Sequence, residues 1–237
     1  MTVAAVTEEP GRGGRLKRVD SFRPPGAPAG TWPHTPWHVC VLYDPYERIN
    51  VWSHGAPGIA LVLLGAAAAA GLAPGGSPLA VFCACAAVTH LFSAVTHVWP
   101  DSHALEKLDH FGIVALILGT PATQLMAMHP HGDTTCMAAC SIVLLLAALL
   151  PPLPRTLGFM AGGAIMVFHY TYIINLSLAV QIALYVAGGF AFVRNSGHER
   201  MWHWATDHHL LHYSVTIACA MHCHNLLQLT AAQASTL

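Results

Sequence analysis

The chain has 237 residues, 54% of them hydrophobic and only 9% charged, with a mean hydropathy of +0.51. Soluble domains carry about a quarter charged residues, so this balance excludes an ordinary water-soluble globular protein. A net charge of −1 offers no basic surface for nucleic acid.

Residues 1 to 50 are polar and rich in Pro and Gly, with Arg12, Arg15, Lys17, Arg18 and Arg23 clustered. No apolar stretch follows this charge at the distance a cleavable leader requires, so the segment reads as a disordered cytosolic tail. Its end, Tyr46 to His54, mixes polar and aromatic residues and is expected at the membrane interface, with Trp52 as an anchor. A membrane domain over 51–230 and a short external tail over 231–237 complete the expected organisation.

Apolar runs follow in order. Span one covers about 55–73 and stops at Pro74-Gly75-Gly76-Ser77-Pro78. Span two, about 79–98, stops at Trp99-Pro100-Asp101. Span three, about 109–128, stops at His129-Pro130-His131-Gly132, and span four, about 134–150, at Pro151-Pro152-Leu153-Pro154. The run from Thr156 to Val193 would measure roughly 57 Å as one helix, nearly twice a hydrocarbon core of about 30 Å. It therefore divides near Asn175 into spans five and six, and the last span takes about 208–229.

With the basic tail inside, Arg48, Lys107, Arg155, Arg194 and Arg200 all fall on the cytoplasmic side of a seven-span count. The expected fold class is all-α: a polytopic, seven-transmembrane helix bundle with a cytoplasmic N-terminus. The seven cysteines lie mostly inside apolar runs and read as small buried hydrophobes. Pairing of Cys136 or Cys140 with Cys223 stays open.

Seventeen histidines are the compositional anomaly. Ser93 and His97 are four apart near the end of span two, and Asp109 opens span three. His208 and His212, again four apart, lie on the first turns of span seven. The Lys and Arg distribution brings all five to one depth near the cytoplasmic face. Two imidazoles at i and i+4 reach one ion from a single helix, and His97 supplies a third ligand, which leaves a position for water as in catalytic zinc sites. Metal ligands are thus expected at His97, His208 and His212. Asp109 is expected as a base and Ser93 as a positioning group, both catalytic, with Zn2+ as the cofactor.

Other histidines carry weaker expectations. His209 points about 100° away from His208. His90 reads as a buried hydrogen-bond partner and His169 as a satisfied core residue. His222 lies toward the outer leaflet. His54, His103, His110, His129, His131, His198 and His203 read as solvated loop or end residues. Gly119-Thr120-Pro121 is expected to kink or unwind span three. Gly158, Gly162 and Gly163, with Gly188-Gly189, read as close-packing sites.

The ordered motifs resemble those of the progestin and adipoQ receptor family, which includes the adiponectin receptors and haemolysin III-like proteins. Glu47-Arg-Ile-Asn-Val-Trp-Ser-His54 is similar to its E-x-x-N-x-W-T/S-H signature, and Ser93-x-x-x-His97 to its second-helix motif. Leu108-Asp109-His110-Phe111-Gly112-Ile113 with Gly119-Thr120-Pro121 resembles its third-helix segment, and His208-x-x-x-His212 its last-helix pair. The likeness runs from Glu47 to Leu227. His110 stands where the family carries a tyrosine, and Asp207 where a serine commonly precedes the first histidine of the last helix.

The resemblance implies zinc on His97, His208 and His212 beside Ser93 and Asp109, in seven spans with the N-terminus inside. It implies a signalling receptor, a zinc-dependent lipid amide (ceramide) hydrolase, or both. Its partner would be a lipid or lipid-like small molecule in the membrane, with an extracellular ligand for a receptor. Two other readings stand beside it: a structural zinc that staples helices, and a haem-bearing transmembrane electron carrier.

Overall fold

The structure, a computed structural model, describes residues 36–44, 46–100, 102–129, 132–194 and 206–235. The basic tail cluster, the loop holding His198 and His203, and His131 lie outside the described residues. Among the described residues the chain forms eight α-helices and one 3-10 turn, with no strand.

Helix α1 (Trp37–Leu42) is a short turn before the bundle. Helix α2 (Glu47–Ala69) starts at Glu47 rather than near 55. Its start is set by Asp44, whose Oδ1 accepts from the backbone N–H of Tyr46 (2.9 Å) and Glu47 (2.8 Å). The stretch expected to lie at the interface is therefore the first two turns of α2. A turn with left-handed Gly75 (φ 104°), a conformation glycine adopts without strain, leads into α3 (Gly76–Val98). Ser102 caps α4 (His103–Met128) by accepting from Leu105 N–H at 3.4 Å. Helix α4 starts before Asp109, so that residue lies on its second turn.

Helix α4 runs unbroken through Pro121, contrary to an unwound Gly119-Thr120-Pro121 step. The hydroxyls of Thr120 and Thr123 fold back onto the carbonyls of Leu116 (2.9 Å) and Gly119 (2.7 Å), adding bonds around the proline. Helix α5 (Thr135–Ala147) has 13 residues. At 1.5 Å per residue it is roughly 20 Å long, shorter than a hydrocarbon core.

The long apolar run does break near Asn175. Helix α6 (Pro152–His169) ends before a 3-10 turn (Thr171–Ile173), and α7 (Leu176–Arg194) begins directly after Asn175. Asn175 Oδ1 caps α7 by accepting from Leu178 N–H (2.8 Å), and its Nδ2 donates to Asn225 (2.9 Å). A capping box of Thr206 and His209 opens α8 (Asp207–Ala234), which takes in most of the expected external tail.

Helices α2 and α3 pack side by side, as do α3 with α4 and α7 with α8, while α2 also meets α8. Small residues bring them close: a Cβ on Gly112 would lie 2.9 Å from the Thr89 Cα, and Thr89 Oγ1 donates to the Gly112 carbonyl at 2.7 Å. Gly158 and Gly162 of α6 press on Ala147 and Leu144 of α5 in the same way, whereas Gly163 and Gly189 face open space.

Polarity is distributed opposite to a soluble bundle. Glu47, Asn50, His90, Gln124, Gln181 and His222 are buried, while Leu63, Ile142, Leu146, Phe168, Leu176 and Phe190 are exposed. In water that apolar exterior would be a large sticky surface; against lipid it is the natural solvent face. Three helical stretches, Glu47–Ala69, Gly76–Val98 and Ala104–Met128, are long and apolar enough to cross a bilayer. The chain is an all-α, integral multi-pass membrane protein.

Candidate metal centre

The helix directions bring the start of α2, the end of α3, the start of α4 and the start of α8 to one end of the bundle. There the structure gathers His97 of α3 with His208 and His212 of α8. One ligand-capable nitrogen from each lies within 4.8 Å of the others, so the three together could hold a metal ion. His97 Nε2 and His208 Nε2 are 3.2 Å apart. Two nitrogens on a tetrahedral zinc at 2.0–2.1 Å sit roughly 3.3 Å apart, so this pair already has the spacing of a shared ion. The wider separation to the third imidazole would close by a small ring movement.

The outer nitrogens are held. His97 Nδ1 donates to Glu47 Oε2 at 2.7 Å, with both side chains buried. A neutral His97 that gives this proton to Glu47 presents a bare Nε2 lone pair to the centre. Ser53 Oγ donates to the Asn50 carbonyl (3.2 Å) and lies 3.0 Å from His212 Nδ1, so it accepts the His212 proton and leaves Nε2 bare. Three neutral imidazoles with two of them oriented by acceptors are a donor set that fits zinc.

Ser93 and Asp109 lie beside this cluster where α3 packs on α4, with the Ser93 hydroxyl near enough to act on the Asp109 carboxyl. Arg155 of α6 is buried, with its guanidinium charge close enough to act on Asp109. All five residues singled out from sequence thus converge at one end of the bundle.

Several histidines sit elsewhere than expected. His54 is not solvated: it is 4% exposed, on the inner face of α2, with its ring stacked on His212 at 3.6 Å and 1° from parallel. His110 is also buried, because α4 begins early enough to turn it inward. His169 is exposed rather than a core residue, since α6 ends at that position. His209 does face away from the cluster. Its Nδ1 accepts from Thr206 N–H (3.0 Å), leaving Nε2 to donate to the Tyr46 carbonyl (3.1 Å), which ties α8 to the start of α2. His90 is fully buried against the Ala86 carbonyl (2.8 Å) and Thr216 (3.2 Å). His222 is bracketed by Gln181 (2.7 Å) and Thr123 (3.0 Å). None of the seven cysteines is in a disulfide, and Cys223 faces Cys83, at 4.0 Å between sulfurs, rather than Cys136 or Cys140.

Sequence reasoning passed over Glu47, Ser53 and His54 as part of the centre's surroundings. Their helical spacing held the signal: Glu47, Asn50 and His54 form an i, i+3, i+7 stripe on one face of α2.

Residues 44–223 match the family model described as haemolysin-III related. That span is well over half of the chain, and the chain belongs to this family. No curated protein matches it.

Proposed function

We propose that this member of the haemolysin-III related family holds a zinc ion on His97, His208 and His212 and uses it to cleave the amide bond of a membrane lipid. The same fold would serve as a signalling receptor if a ligand biases the helices that carry those histidines. The single observation behind the reading is the meeting of three imidazoles with the Ser93–Asp109 pair at one end of a lipid-facing bundle.

Each side chain has a task that its placement supports. Glu47 and Ser53 hold His97 and His212 in the tautomers that present bare nitrogens inward. Zinc, when bound, supplies a Lewis acid that polarises a carbonyl oxygen. Asp109 accepts a proton from the attacking water and returns it to the leaving amine, so a carboxyl group and an amine result. Ser93 keeps the Asp109 carboxylate turned toward the cluster. Exposed apolar residues on every outer helix suit entry of a long-chain substrate from the bilayer.

In the proposed topology the bundle spans the membrane seven times through α2 to α8, with the N-terminus and the metal centre on the cytoplasmic side. Arg48, Lys107 and Arg155, all at the beginnings of alternate helices, support it.

The test is metal analysis of purified wild type beside His208→Ala and His212→Ala, with an assay for lipid amide hydrolysis. Stoichiometric zinc in wild type, lost in both variants, with turnover lost in parallel, is the expected result. Zinc without turnover would reduce the centre to a structural staple between α3 and α8, and no zinc would end the reading.

A further inference from the structure

Cys83 of α3 and Cys223 of α8 face each other with their sulfurs 4.0 Å apart. Both are buried, and they come from positions 140 residues apart in the chain. Gly65 of α2 lets that helix close directly behind Cys83: a Cβ there would lie 2.8 Å from the Cys83 Cβ.

The other five cysteines are placed differently. Cys219, one turn before Cys223, lies 3.7 Å from the Tyr185 hydroxyl of α7. Cys85 packs where α4 presents Gly119. Cys136 and Cys140 follow one another on a single turn of α5, and Cys40 is on the short α1. Among the described residues, Cys83 and Cys223 are the thiols that two separate helices bring into sulfur contact.

Their surroundings decide what chemistry the pair can do. Leu61, Leu79, Phe82, Ala86, Leu116 and Leu226 belong to the same apolar cluster. Two thiolates on a soft monovalent cation would leave a net negative charge there, with no Lys or Arg in the cluster to offset it. A disulfide is neutral, so that burial penalty does not arise. An S–S bond is about 2.05 Å long, so the sulfurs have about 2 Å to close, a movement on the scale of two thiol rotations.

A route for a small oxidant leads toward the pair. At the end of the bundle away from the metal centre, Ser77, Pro78, Met126, Thr230 and Gln233 line an open cavity of about 400 Å³. Ser77 and Thr230 stand roughly 10 Å along α3 and α8 from the two thiols. Buried Leu79 and Leu226 lie between. A small uncharged reagent has that apolar layer to pass, through local opening of the helix ends.

We propose that Cys83 and Cys223 are a redox-reactive dithiol that a small uncharged peroxide converts into a disulfide between α3 and α8. The sulfur of Cys223, the less buried of the two, takes one peroxide oxygen to become a sulfenic acid, and water leaves. The Cys83 sulfur then attacks the sulfenic sulfur; its proton departs with the hydroxyl as a second water. Two thiols lose two electrons in all, and the O–O bond of the peroxide gains them. The product is a staple closing a long loop, roughly 16 Å along α8 from His212, and it requires no metal at the other end.

Full-length protein in lipid nanodiscs is treated with hydrogen peroxide, alkylated and mapped by peptide mass spectrometry, with glutathione in the same suspension as a reactive control. Wild type is expected to yield the Cys83–Cys223 linked peptide within one chain in most molecules, and a phosphine reductant reverses it. Cys219→Ala still forms the link, whereas Cys83→Ala and Cys223→Ala do not. The melting temperature of wild type rises by about 5 °C or more on oxidation, and that of the two unlinkable variants does not.

Because the linked peptide is read in wild type, the result does not depend on how a variant folds. No link at a peroxide dose that oxidises the glutathione would overturn the proposal. So would a link to Cys219 in place of Cys83 or Cys223, links only between separate chains, or a link that lowers the melting temperature.

Discussion

Glu47 and His97 form a buried carboxylate–imidazole pair, Oε2 to Nδ1 at 2.7 Å, that joins the first turn of α2 to the last turn of α3. A carboxylate behind a metal-ligating histidine raises its basicity and fixes its tautomer. Glu47→Ala should therefore lower zinc affinity about 10–100-fold, with Glu47→Gln losing less because an acceptor remains. Competition with a chelating dye reads the difference directly, and equal affinity in all three proteins would remove Glu47 from the centre.

Ser53 orients His212 through a neutral hydroxyl, a weaker tether than a carboxylate. Ser53→Ala should cost about tenfold in zinc affinity, at the lower edge of what such outer partners contribute. The same chelator titration ranks it against Glu47→Ala; a larger loss from Ser53→Ala would overturn the ranking of the two tethers.

Helices α3 and α4 approach closely at Gly112, one turn along each helix from Ser93 and Asp109. Gly112→Ala places a methyl group 2.9 Å from the Thr89 Cα, a backbone atom that cannot swing aside. A loss of about 1–3 kcal/mol is expected. Gly163, with nothing within 4 Å of an added Cβ, is the control. Gly163→Ala should be neutral or stabilising by up to about 1 kcal/mol, since alanine favours the helix. Thermal denaturation in detergent compares the two.

At the other end of the bundle His222 links α4 and α7 through Thr123 and Gln181, next to the Asn225–Gln124 bond of 2.6 Å. His222→Leu leaves the buried Gln181 Oε1 without its partner, while Thr123 keeps its bond to the Gly119 carbonyl, and should cost about 1–2 kcal/mol. Because position 222 lies roughly 20 Å along α8 from His208, zinc content should not change. Loss of metal in His222→Leu would show that the two ends are coupled.

The histidines of α3 and α8 were readable because they combine a four-residue spacing with a charge alternation that sends both helix ends to one side. Glu47, Ser53 and His54 were not, for a physical reason. Five polar or charged residues within Glu47 to His54 depress local hydropathy, so the run looks like a boundary when it is the interior face of a helix. Hydropathy reports what lipid touches, and these side chains touch other helices. His169 failed for the opposite reason. It lies inside an unbroken apolar run, and only the capping by Asn175 shows that the chain has already turned there.

His97 and His208 are separated by 111 positions, and α8 follows every other described helix. During synthesis the first imidazole must wait in the bilayer, held by Glu47, until the last helix arrives. A metal ion held by all three histidines could be captured only by a chain whose final helix has docked. Metal loading would thus act as an assembly checkpoint, and a stalled or truncated product would be recognisable by its inability to retain the ion.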